Sequence, residues 1–172
     1  MNIIASTGED GTLVTANMSN LSGGVTAGQT TITVNDDVFG EDDVVIIDQE
    51  RILLGTDNGD GSYSGCTRGY ESTTAAAHDS SSNVRLKDGS TVLTKTFDGS
   101  TQLSLVRAIA MERDSMFALE VDGTVKYTTA LGPYEGLEKV FGSVPWQPNS
   151  GTVIKVLCWT LSSVNVFAEM QS

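Results

Sequence analysis

Covalent catalysis needs a nucleophile, a base and an orienting group within hydrogen-bond reach. The only histidine is His78, so every Ser/His or Cys/His arrangement must pass through it. It stands in Ala75-Ala76-Ala77-His78-Asp79-Ser80, where adjacent side chains on an extended segment point apart. His78 and Asp79 therefore do not form a catalytic pair, and His78 reads as a structural residue hydrogen-bonded to a loop. The 22 acids offer many carboxylate pairs. Glycoside cleavage, however, needs two at a defined separation in an aromatic-lined groove, and with two Trp and four Tyr nothing singles out a pair. No catalytic residue is assigned, and the expectation is a protein that is not an enzyme.

Metal and interface chemistry come next. Cys66 and Cys158 are far apart, without a CxxC or Cys/His cluster, which excludes a structural zinc site on ligand count. Two buried free thiols are expected, with one disulfide joining the two halves as the alternative. Asp57-Asn58-Gly59-Asp60-Gly61 could offer oxygens to Ca²⁺, but Gly59 falls where a ligand is wanted and no Glu closes a twelve-residue loop. Asp57 and Asp60 remain metal candidates against the simpler reading of a hairpin turn, and no cofactor is implied. Arg68, beside Gly69, can reach several carbonyls or carboxylates with its forked donors. It either locks the 69–78 loop or contacts a neighbouring subunit. Arg68, His78, Tyr134 and Trp146 are the interface candidates, Trp146 lying between Pro145 and Gln147-Pro148. An aromatic on such a loop can stack on a sugar, anchor an interface or cap a core. Trp159 reads as core.

Charge is lopsided. The net charge is −12, and residues 1–50 carry nine acids and no base. Such a chain repels phosphate backbones, so nucleic-acid binding is rejected. The acids read as a solvated face, with a basic partner or high salt as alternatives. No apolar run reaches membrane-spanning length, and the N-terminus has neither a basic nor an apolar signal region, so a membrane span and a secretory signal are not expected.

The elements that must position these residues are strands. Eighteen glycines and many Thr and Ser favour turns and two-faced strands over helices. Residues 1–25 lack periodicity and read as an N-terminal arm hinged at Ser22-Gly23-Gly24. Residues 26–88 read as a small β-module. Thr31-Ile32-Thr33-Val34 alternates, and Val44–Ile47 is a β-branched run expected to be buried on both faces. Asp48-Gln49 is a corner, Asp57–Gly61 a hairpin, and Asn83–Leu86 a last strand. Residues 89–172 read as a β-sandwich or jelly-roll-like domain. Its elements are a strand at 92–97, a segment at 103–111 better read as strand than helix, and a hairpin about Asp122-Gly123. A long irregular connection at 132–148 and a closing pair, 153–161 with 164–170, complete it. The fold class is all-β, with two small antiparallel modules.

Read together, Thr31–Val34, the Val44–Leu54 strand pair with Asp48 and Glu50, Gly65-Cys66-Thr67-Arg68-Gly69, Ala75–His78 and Val84 resemble a β-module recurring in tailed-phage virion proteins. The likeness covers about a third of the chain. The second half is similar, more loosely, to the β-sandwiches of phage fibres, decoration proteins and baseplates. The resemblance implies a structural protein of the virion: a capsid decoration (cement) or head-fibre protein that docks on the major capsid protein or other virion subunits, as a homo-oligomer, usually a trimer. The alternatives are a tail, baseplate or fibre component, or a carbohydrate-binding adhesin module with Trp146 at a glycan face.

Overall fold

A computed structural model describes residues 2–110, 114–129, 132–133, 136–140 and 145–172. Among them the chain is all-β, with antiparallel sheets and one short 3₁₀ turn. It divides into two compact units, Asn17–Asp88 and a second made of Met1–Ala16 with Gly89–Ser172.

The Asn17–Asp88 unit carries a four-stranded sheet in the order Met18–Asn20, Asn83–Leu86, Val44–Ile47, Glu50–Leu53. A three-stranded sheet, Ile32–Thr33, Ser62–Ser64, Thr56–Asp57, completes it. Alternation explains the core: Val45 and Ile47 from one strand and Ile52 and Leu54 from the next are buried, together with Ile32, Val34, Tyr63 and Val84. Val44 and Ile46 are only half-buried, so the Val44–Ile47 run is covered on one face and not on both. β-Branched residues suit a half-covered pleat as well as a fully covered one. The Asp57–Gly61 signal does form a hairpin, with Thr56–Asp57 antiparallel to Ser62–Ser64.

The other unit is a two-sheet sandwich. One sheet runs Ile3–Ser6, Val164–Gln171, Leu105–Ala110, Gly136–Val140, with Thr12–Val14 also on Val164–Gln171. The other runs Ser90–Thr96, Val153–Thr160, Asp114–Val121, Thr124–Thr128. Inward residues of both sheets share one core, including Val106, Ala108, Val166 and Met170 from the first and Phe117, Leu119, Ile154 and Val156 from the second. The 103–111 segment is strand from Leu105 to Ala110, and the Asp122-Gly123 hairpin forms.

Three further expectations are corrected. Residues 3–25 are no arm: Ile3–Ser6 and Thr12–Val14 pair with Val164–Gln171, Met18–Asn20 pairs with Asn83–Leu86, and Val25 bridges His78. The apolar residues here are too sparse to show a period, yet Val14, Met18, Leu21 and Val25 are buried against partners far along the chain. Strands Val153–Thr160 and Val164–Gln171 do not pair; the Ser162-Ser163 turn passes the chain from one sheet to the other. Residues 132–148 are not wholly irregular, because Gly136–Val140 completes a sheet edge beside Leu105–Ala110.

Candidate functional site

A dense polar constellation lies in the Asn17–Asp88 unit and is set up by period-2 alternation. Glu50 stands in register with Ile52 and Leu54 on the inward face of its strand, and all three are buried. A carboxylate in that position must be fully hydrogen-bonded or it destabilises the fold by several kcal/mol. The Val44–Leu53 hairpin turns at Asp48, whose left-handed φ of 53° is tolerated by Asp.

Arg68 reaches Glu50 from the Gly65–Gly69 segment, which is held by backbone bonds between Leu53 and Thr67. Its guanidinium uses all five N–H groups. Nε and one Nη2 hydrogen donate to the two Glu50 oxygens at 2.8 Å each, and Nη2 donates again to the Ala76 carbonyl at 2.6 Å. Nη1 donates to the Thr26 and Gln29 carbonyls at 2.7 and 2.9 Å. Gly69 takes φ 63°, and a Cβ there would lie 2.9 Å from the Thr73 carbonyl oxygen, so the turn that frees its amide for Glu50 requires glycine.

Glu50 accepts three more bonds: from the Gly69 amide at 2.9 Å, from the Ala76 amide at 3.0 Å, and at His78 Nε2 at 2.8 Å. Five partners exhaust the roughly four lone-pair sites of a carboxylate. Burial alone pushes this carboxyl up; the Arg68 guanidinium, the Ala76 and Gly69 amides and His78 outweigh it and hold it down at about 2. The other ring nitrogen of His78, Nδ1, lies 2.7 Å from Asp48 Oδ2. A carboxylate only accepts, so both ring contacts are hydrogen bonds when each nitrogen carries a hydrogen. The His78 backbone also exchanges two hydrogen bonds with Val25.

A cavity of about 480 Å³ adjoins this network, lined by Asp48, Gln49, Glu50, Ser72–Thr74 and Ala76–His78. Glu71 and Ser72 beside it are both left-handed, and Glu71 is held by Arg51 at 2.8 Å and Lys87 at 2.6 Å. The chemistry available to the network is locking. Glu50, with both oxygens engaged and its carboxyl held at about 2, is a weak proton acceptor, and Arg68 has no donor left for an incoming anion.

These placements settle what each singled-out residue touches. Arg68 and His78 are not surface contacts: their side chains are 6% and 2% exposed, and their polar atoms are saturated within the unit. Asp57 and Asp60 act as turn acceptors, Asp57 for the Gly59 amide and Asp60 for the Ser62 amide and hydroxyl. Trp146 is half-buried at the edge of the sandwich, where its backbone bridges Leu103. Tyr134 lies outside the described residues. Cys66 and Cys158 are both buried thiols outside any disulfide, with burial pushing the Cys158 thiol up to about 12. Glu50 and Asp48 were not singled out as site residues from sequence. The available signal was an acid at an inward position of an alternating strand, in register with Ile52 and Leu54. No family model matches the chain, no curated protein matches its sequence, and no solved structure matches it.

Proposed function

We propose that this chain is a non-enzymatic structural protein of a tailed virus particle, a capsid decoration or head-fibre protein that docks on the shell through repeated weak contacts. The observation that carries the reading is the network of Asp48, Glu50, Arg68 and His78. The scattered residues on which the resemblance rests converge on one internal lock, as expected if they define a folded module and not an active site. A small, rigid, strand-built unit suits attachment by many equivalent copies, where each contact is modest and multivalency makes the whole persistent. The acidic surface suits solubility before assembly and a basic docking partner afterwards.

The test is mass spectrometry of purified particles produced by the genome that encodes this chain, followed by cryo-electron microscopy. The expected result is stoichiometric recovery of the chain, with density at repeated positions on the head. Its absence from purified particles, or its recovery only as a free secreted protein, overturns the proposal.

A further inference from the structure

The sandwich has an open flank where the edge strand of one sheet, Thr124–Thr128, and the edge strand of the other, Gly136–Val140, border the core. Every residue of Thr124–Thr128 is exposed. Between the edges lies a cavity of about 360 Å³ lined by Leu119, Val121, Lys126, Tyr127, Lys139 and Trp146. Leu119 is buried at its base, and Tyr127 is 39% exposed at its mouth. Lys139 Nζ lies 5.7 Å from the Tyr127 ring centroid.

Charge separates this cavity from the rest of the molecule. Arg51, Arg68, Lys87, Arg107 and Lys155 each sit against a carboxylate. Among the described residues Lys126 and Lys139, like Lys95, sit against no carboxylate. In a chain of net charge −12, two uncompensated ammonium groups beside two aromatic rings form a local cationic pocket. Its volume is at the small-molecule end of ligand sites. It offers flat apolar walls and two point charges in place of an extended groove.

We infer that this flank binds an acidic sugar, a pyranose carrying a carboxylate. The ring's C–H face would pack on Trp146 and Tyr127, and its carboxylate would sit between Lys126 and Lys139. Aromatic side chains provide a rigid amphipathic platform, while the lysines select for the anion. The inference stands independently of the virion proposal, because it concerns the isolated protein and not its attachment to a particle.

The test is calorimetric titration of the full chain with tetragalacturonate at an ionic strength on the order of 20 mM, where exposed charges are little screened. The fully methyl-esterified tetrasaccharide serves as a neutral control and a hexaglutamate peptide as an acidic non-sugar control. Saturable binding is expected, weakened about fivefold or more by esterification and about tenfold or more by K126Q/K139Q and by W146A, in line with the worth of aromatic and cation contacts. Because Trp146 also packs on the core, the lysine double variant, with an unchanged melting temperature, is the decisive arm. Absence of saturable binding, equal binding of the ester, or full binding by K126Q/K139Q overturns the inference. So does peptide binding as tight as that of the sugar, which would point to an acidic protein segment.

Discussion

Replacing Glu50 by Gln keeps the side chain's shape and removes its charge from the centre of a five-partner network. Both Glu50 oxygens accept in the native unit, and its side chain is 1% exposed. In the variant one oxygen becomes an NH₂ donor facing Arg68, Ala76 or Gly69 donors. The carboxyl is held at about 2 against an ordinary 4.5; at about 1.4 kcal/mol per pKa unit this corresponds to roughly 3 kcal/mol. That agrees with the ~3–5 kcal/mol typical of breaking a buried ion pair from one side. Because folding lowers this pKa, its stabilisation is complete above pH 4.5 and is lost as pH falls from 4.5 through about 2. The gap between wild type and E50Q should therefore be about 3 kcal/mol at pH 7 and shrink steadily below pH 4.5. The assay is hydrogen exchange with mass spectrometry on peptides covering 44–54 and 83–86, in urea, at pH 7 and pH 3. Trp146 and Trp159 both lie in the other unit, so tryptophan fluorescence is an internal control that E50Q should leave unchanged. A gap below about 0.5 kcal/mol at pH 7, or one of the same size at both pH values, would refute the reasoning.

Arg68→Lys retains the charge but cannot reproduce a bidentate Glu50 contact together with the Thr26, Gln29 and Ala76 carbonyl bonds. It should lower the stability of the Asn17–Asp88 unit by about 2–3 kcal/mol, read by the same exchange experiment. Cys158, held at about 12, should resist iodoacetamide at pH 8 in the native protein and react in urea; fast native labelling would contradict its burial. Gly89→Ala would place a Cβ 2.7 Å from the Trp159 ring and should destabilise the sandwich by about 1–3 kcal/mol, seen as an earlier tryptophan unfolding transition.

Local chemistry was legible where a few neighbouring residues decide the outcome. Asn58-Gly59 and Asp122-Gly123 demand hairpins, and the Val44–Ile47 run demands a strand. Within the 103–111 segment, Leu105–Ala110 is strand because its register partners on both sides are strands. The site was half-legible. Arg68 and His78 stood out by type, but the residue that joins them, Glu50, is separated from them by 18 and 28 positions. Its residue type does not mark it among the 22 acids; only the resemblance groups it with Arg68 and His78.

Composition and turn chemistry alone were enough for an all-β chain with its breaks at the Gly, Asn and Asp positions, because those preferences act over two to four residues. Which strand pairs with which, and which acid is buried, came only with the folded structure. Ile3–Ser6 finds Val164–Gln171 across nearly the whole chain, and Val153–Thr160 and Val164–Gln171 part into different sheets. Such pairings follow from the burial of whole sheet faces, a property of many distant residues at once that no local window contains.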